Sequence, residues 1–417
     1  MASFHKTHEP LAERLLSHIN SCKRVVSSDN VSFEASLQFD GYQNVLQDII
    51  SLSADIPQSE FKRIVWRSLV NSAKEGTISS GLFLRHASEL EQEYLSRRPK
   101  RYILISQVSV RYFDKLPSFK VGNAAVSFPT NLPSAFLRSR ESVINSAKHA
   151  LHAPPPENYR WVRVAVESKE SASAASLALD ALHLLLGIWN LRLNSSFRVS
   201  HGGRRKAVNT VVLGPIHTVH LSSGKLEREV WWFAPNYCGS IDAKSLGQDN
   251  IKHILQFHHW VRRKLLTIKY RDQVQKYIRL YNQSLVENDW STSYIRLWQV
   301  LEAATNTSNG NHKETIRRVA FLYKDRDFHF AFLDHLRTMR NQLVHESAEK
   351  ETMESNLYFL KNYVEDLLIF HLKQAGQFQN PGEASEFLDL PTSAVDLSKR
   401  LNMCKKAIRF RSVGQDG

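Results

Sequence analysis

Apolar residues fall at helical spacing in three stretches near the start of the chain, PLAERLLSHINSCKRVV, YQNVLQDIISLS and SEFKRIVWRSLVNSA. Ser, Asp and Gly lie between them, so the pattern predicts a helical N-terminal region over residues 1–98. RYILISQVSVRYF (101–113) instead alternates, the pattern of a strand, and AAVSF offers a second one. PSAFLRSRESVINSAKHALH reads as a helix that stops at APPPENY, where three prolines stiffen the chain. The strand YRWVRVAVES, the long small-residue helix SASAASLALDALHLLLGIWNLRL and the short strands AVNTVVLG, HTVHLS and EREVWWFA complete a mixed α/β region over 99–248.

Over 249–378 the helical period returns in six stretches with short connections: DNIKHILQFHHWVRRKLLTI, RDQVQKYIRLYNQSLVEN, STSYIRLWQVLEAAT, KETIRRVAFLYKD, DFHFAFLDHLRTMRNQLVHES and KETMESNLYFLKNYVEDLLIFHL. That arrangement predicts an antiparallel helical bundle. A basic tail is expected over 379–417, with a last helix after NPGEAS. The fold class expected is α+β, mostly helical, with a C-terminal helical bundle.

Composition narrows the classes. At 417 residues and 42% hydrophobic, the chain exceeds one typical core and is able to bury several. Three widely separated cysteines, Cys22, Cys238 and Cys404, suggest neither a zinc site nor a disulfide framework. The N-terminus lacks the apolar core of a signal peptide. The most apolar run, LALDALHLLLGIWNL, contains Asp180 and His183 and reads as too short to span a bilayer. A cytoplasmic protein without a membrane segment is therefore expected. The formal charge of +14 favours polyanionic partners, because a basic surface gains affinity by releasing counterions from a phosphate backbone, although a spread excess also serves solubility.

The chemistry concentrates in LRTMRNQLVHES, residues 336–347. Arg337, Asn341 and His345 recur every four residues, a helical stripe that drifts by about 40° per step. Arg340 stands five residues before His345, roughly 140° around the helix. Leu336, Met339, Leu343 and Val344 supply an apolar packing face. Chance alone accounts for a bare Arg-x4-His spacing, yet this is the only Arg-x(4–6)-His in the chain, and an Asn follows its Arg.

YIRLWQVLEAAT, then LRTMRNQLVHES and NLYFLKNYVEDLLIFHL, together resemble the HEPN superfamily, in particular its ApeA-like bacterial branch. The likeness covers about residues 250–375 and rests on Arg340, Asn341 and His345, with Leu297, Trp298, Leu301 and Glu302 upstream. It implies a metal-independent endoribonuclease without cofactor, a homodimer through the C-terminal domain, and a role in anti-phage defence or as a toxin. By the same resemblance, a phage-derived trigger or an inhibitory partner would control the site, with the non-HEPN two-thirds sensing or restraining. The residue chemistry agrees: an imidazole exchanges protons near neutral pH, and a guanidinium offers a planar charged fork to phosphate. Asn341 can orient the His or bind a phosphate oxygen. Glu302 is a further candidate, pairing with Arg340 or tuning His345; a plain helix-surface carboxylate is the competing reading.

RNA contacts are expected at Arg337 and at Arg204, Arg205 and Lys206 in the loop HGGRRK, which a plain basic turn explains equally well. His258–His259 favours structural or surface histidines over a metal site, since neighbouring helical residues point about 100° apart. WWF (231–233) is a stacking platform or, more simply, core. In the tail, Lys399, Arg400, Lys405, Lys406, Arg409 and Arg411 interleave with Leu401, Met403, Ile408 and Phe410, which suits an RNA- or subunit-contacting end or a solvated cap. The rival to an enzyme is a non-catalytic helical dimer that binds nucleic acid or a partner protein.

Overall fold

The computed structural model describes residues 2–27, 30–34, 36–111, 116–147, 158–194, 207–233, 237, 243–307, 311–346 and 353–413. The architecture is α+β and mostly helical, with fourteen α-helices among the described residues. Close contacts divide the chain into two compact units. Met1–Leu104, Ala165–Ala178 and Val219–Val230 form the first; Ile105–Val164, Leu179–Thr218 and Trp231–Gly417 form the second.

The first unit begins with β1 (Ser3–Phe4) and α1 (Glu9–Ser21), where Pro10 sits in the first turn and Ala12, Leu15, Leu16 and Ile19 make the buried stripe. The helix stops at Ser21, short of the expected end. KRVVS becomes β2 (Lys23–Ser27) and pairs antiparallel with β3 (Asn30–Phe33), Val25 opposite Val31. Lys23 Nζ reaches back to the carbonyls of Ala73 and Gly76, the latter at 2.6 Å, placing a cation at the C-terminal end of a neighbouring helix. After α2 (Leu37–Ile49) and β4 (Ile50–Ser51), that helix is α3 (Gln58–Glu75), and α4 (Ser80–Ser96) follows it. Leu16, Ile19, Leu46, Ile64, Leu69 and Phe83 fill this unit's core.

A six-stranded sheet has the order β11-β10-β5-β9-β8-β7. Its strands, with β6, are β5 (Lys100–Val108), β6 (Val110–Arg111), β7 (Phe119–Val121), β8 (Ala124–Ser127), β9 (Arg160–Ser168), β10 (Ile216–Leu221) and β11 (Leu226–Phe233). Between them run α5 (Ser134–Ala147) and α6 (Ser171–Leu193). The unit boundary falls inside β5, β9, β10, β11 and α6. β5 is buried at every position from Tyr102 to Val108, as expected of a strand covered on both faces.

Two expectations for this region change. AVNTVVLG is not a regular strand; it makes a single antiparallel bridge, Val108 to Leu213. Its backbone is served by side chains instead: Val211 N donates to Asn190 Oδ1 at 2.9 Å, Thr210 N to Asn194 Oδ1 at 2.9 Å, and Val212 N to Ser109 Oγ at 2.9 Å. Buried backbone groups demand partners, and here two amides in and just after α6 and the Ser109 hydroxyl supply them in place of a ladder. Secondly, α6 is long and apolar enough to cross a membrane, where its apolar run alone read as too short. Most of it is buried inside the protein, Leu182, Leu185 and Trp189 almost completely, which suits a core helix.

The rest of the second unit is helical. β12 (Lys244–Ser245) pairs parallel with β6. Then come α7 (Gln248–Thr267), α8 (Arg271–Ser284), α9 (Trp290–Ala304), α10 (His312–Ala320), α11 (Arg326–Glu346), α12 (Met353–Lys373), α13 (Pro381–Leu388) and α14 (Ala394–Val413). α9 packs on α8, α11 and α12, with Tyr294, Leu297, Trp298 and Leu301 fully buried. α6 lies so close to α8 that a Cβ on Gly187 would meet Ile278 O at 2.7 Å. α14 stands apart from this packing: every residue from 392 to 411 is exposed.

Candidate functional site

α11 starts where Asp325 Oδ1 accepts a hydrogen bond from Phe328 N at 3.2 Å, an acidic cap on the helix entrance. Leu333, Leu336, Met339 and Leu343 are buried, so the apolar face is the expected one. Tyr294 on α9 fixes that face further by donating from its hydroxyl to Leu336 O at 2.7 Å. The polar stripe is thereby turned away from the core. Arg337, Arg340 and Asn341 are each partly exposed.

Their contacts differ. Arg337 Nε donates to Asp334 Oδ1 at 2.8 Å, one turn earlier on the same helix. Arg340 makes no carboxylate contact among the described residues. Its Nη1 lies 3.4 Å from Asn341 Oδ1, a long hydrogen bond, and its Nε is buried with no partner among the described residues. His345 lies in the last turn of α11, and its side chain is outside the described residues, as is that of Val344. Arg204, Arg205 and Lys206 also lie outside them.

Glu302, on α9, is engaged elsewhere. Its Oε1 accepts from Trp298 Nε1 at 2.9 Å and lies 2.8 Å from His312 Nδ1, off line for a hydrogen bond. Neither Arg340 nor His345 is among its described contacts. Sequence reasoning gave His312 no role. The 308–310 segment lies between α9 and α10, so no helical spacing ties residue 312 to 302. Each element was legible; their meeting was not.

Other arginines of the same bundle are neutralised. Arg318 Nε and Nη2 bind Asp389 Oδ1 and Oδ2 at 3.0 and 2.8 Å, Nη2 also reaches Glu314 at 2.8 Å, and Nη1 donates to Thr305 O at 2.9 Å. Arg317 adds a bond to Asp389 at 2.8 Å. Burial alone would raise the Asp389 pKa, but the Arg318 and Arg317 contacts outweigh it and hold the carboxyl below its ordinary value. Arg296 pairs with Glu287.

Buried histidines belong to the scaffold. His371 Nε2 donates to Ala304 O at 2.8 Å and its Nδ1 accepts from Tyr270 OH at 3.0 Å. Burial pushes its pKa down to about 4 even though the Ala304 carbonyl favours the charged ring. His183 accepts from Asn282 Nδ2 at 3.0 Å and is likewise held at about 4 by burial. His258 is buried too, so its pairing with His259 reflects a core position beside a more exposed one. Among the described residues, no three His, Cys, Asp or Glu side chains gather closely enough to hold a metal ion. No protein-family model, no curated protein and no solved structure matches this chain.

Proposed function

We propose that the chain is a metal-independent endoribonuclease of the HEPN type, acting as a homodimer in the cytoplasm in anti-phage defence or as a toxin. The observation that carries this reading is the charge of Arg340. In a bundle where Arg296, Arg317, Arg318 and Arg337 all face carboxylates, Arg340 faces an amide, and its half-buried guanidinium keeps an unpartnered Nε among the described residues. A cation with no carboxylate partner among the described residues, beside an asparagine and on the helix that bears the histidine, suits a phosphate.

In the reaction, the RNA 2′-oxygen bonds to the adjacent phosphorus and the bond to the 5′-oxygen breaks. His345 accepts the 2′ proton, the equivalent histidine of a second copy protonates the leaving oxygen, and Arg340 balances charge on the phosphorane. The products are a 2′,3′-cyclic phosphate and a 5′-hydroxyl. Two copies supply two histidines, and a C2 pair does so with one interface. The aromatic surface formed by Phe328, Phe332 and Phe359 favours such pairing; Phe328 is 60% exposed, and the Phe332 and Phe359 rings meet at 4.9 Å. Glu302 positions His312 in this reading. Restraint by a partner, or release by a phage-derived trigger, would act on the same dimer.

A second reading, a nucleic-acid-binding dimer without catalysis, draws on α14, whose Lys399, Lys405, Lys406 and Arg409 are all exposed. End-labelled RNA incubated with the protein in EDTA separates the two. The nuclease gives cyclic-phosphate ends that disappear in His345→Ala. Retention of RNA without cleavage, unchanged by that substitution, supports the binding module.

A further inference from the structure

A second site is built around the tip of the β7–β8 hairpin. The turn is Gly122–Asn123, and Gly122 takes φ +57°, the positive value that a tight hairpin turn demands at its first position. Beneath the tip, α6, α7 and α8 line an open cavity of about 420 Å³. All of these residues belong to the second compact unit.

Charge and shape are unevenly distributed around this cavity. Lys120 on the hairpin, Arg262 on α7 and Arg271 on α8 converge on it. The sole carboxylate in its described lining is Asp272, whose Oδ1 lies 3.6 Å from Arg271 Nε, too long for a hydrogen bond. Lys120 and Arg262 form no ion pair among the described residues. Like charges brought together over a low-dielectric wall repel, and an anion between them converts that repulsion into attraction. The wall itself is apolar: Leu184, Ile188 and Leu265 are all at least nine-tenths buried.

Polar groups complete the lining. His258 is 5% exposed, sets its ring 4.9 Å from that of Phe119, and has a buried Nδ1 without a partner among the described residues. Burial, assisted by His259 and Arg262, lowers its pKa to about 4, so the ring is neutral at pH 7 and the positive charge resides in the three longer side chains. Asn123 and Gln275 bring side-chain amides, which both donate and accept.

The volume lies within the roughly 300–1,000 Å³ typical of small-molecule sites. It suits one nucleotide and excludes a duplex. An apolar wall, amides for a base edge, a carboxylate for sugar hydroxyls and three cations together match one ligand class. We propose that this cavity binds a nucleoside phosphate, with the phosphate on Lys120, Arg262 and Arg271 and the base against Leu184, Ile188 and Leu265. The inference stands on these residues alone and does not depend on the nuclease reading.

Calorimetric titration of the full chain tests it, with AMP, GMP, ATP, adenosine and inorganic phosphate as probes at matched ionic strength. Saturable binding of at least one nucleotide is expected, with adenosine and inorganic phosphate each at least about tenfold weaker, because each lacks half of the recognised chemistry. Arg262→Glu and Lys120→Glu should each weaken nucleotide binding by at least about tenfold. Both side chains are exposed, so thermal unfolding of the variants should stay within about 2 °C of the wild type. Absence of heat with every nucleotide at millimolar concentration overturns the proposal. So does equal affinity for inorganic phosphate, which marks a generic anion patch, and so does nucleotide binding that survives both substitutions. Binding of single-stranded RNA with no response to mononucleotides also rejects it.

Discussion

Arg318 and Arg340 sit in one helical bundle and carry the same charge, yet their surroundings treat it in opposite ways. At Arg318 the fold brings Asp389 from just after α13, Glu314 lies one turn back on the same helix, and a backbone carbonyl takes one remaining N–H. At Arg340 it brings, among the described residues, only Asn341, at 3.4 Å. A desolvated cation is costly unless paired, so an arginine without a carboxylate needs a reason beyond stability. The difference is that one arginine closes the bundle, while the other, in the reading proposed above, keeps its charge for a phosphate.

Exchanging the two tests this contrast most severely. Arg340→Ala should lower RNA cleavage by about 10²–10³-fold, the usual loss when one preorganised charge is removed from a transition state, and change folding stability by less than about 1 kcal/mol. Arg318→Ala should do the reverse. It leaves Asp389 and Glu314, which are only partly exposed, with Arg317 as their remaining cation, and should cost about 1–2 kcal/mol in a urea titration while leaving cleavage by the folded fraction near wild type. If Arg340→Ala unfolds the protein and Arg318→Ala alone abolishes cleavage, the assignment is inverted.

Acidity sharpens the same comparison, because the scaffold has its own titration. His371 is neutral in the fold, its pKa held near 4 against an ordinary 6.5. A depressed folded-state pKa means that the unfolded chain binds the extra proton first. Stability is therefore fully present above pH 6.5, falls as the pH drops from 6.5 towards 4, and flattens below that. From His371 alone the loss at pH 5 is about 2 kcal/mol, and His183 adds to it in the same direction. The urea midpoint should be clearly lower at pH 5 than at pH 7.5. An unchanged midpoint would mean that His371 is protonated in the fold. Any loss of cleavage in that window should be corrected for unfolding before it is credited to a catalytic histidine.

The bundle was legible because it is built from local periodicity. Five or six helices were expected over 249–378 and six are present, and the helix expected at 171–193 is α6 end to end. Errors arose where long-range partners override a local pattern. KRVV continues the helical spacing of α1, and its conversion to β2 depends on pairing with β3, which a short apolar run does not announce. The valines of AVNTVVLG favour a strand, but Asn190 and Asn194, bonded from 21 and 16 residues upstream, occupy hydrogen-bonding groups a ladder would use. In the site, the apolar face of α11 and the partial exposure of Arg340 followed from spacing. The neutralisation of Arg318 by Asp389, 71 positions away, and the approach of His312 to Glu302 did not, because neither leaves a trace in sequence distance.

Arg337 gives the finest discrimination. It stands one turn before Asn341 on the same stripe and was expected to contact RNA, yet its Nε is held by Asp334 at 2.8 Å. That pair is partly solvent-exposed and lies within a single helix, a geometry that typically contributes only about 0.3–0.5 kcal/mol. Arg337→Ala should therefore change stability by no more than that, and cleavage by less than about threefold, since its charge is already compensated. Asp334→Asn makes the complementary test: it frees the guanidinium without removing it, and RNA affinity should rise slightly at low salt and return to wild type as salt screens the new charge. A loss in Arg337→Ala as deep as that in Arg340→Ala would erase the distinction between a paired and an unpaired arginine. The phosphate would then be gripped along the whole stripe.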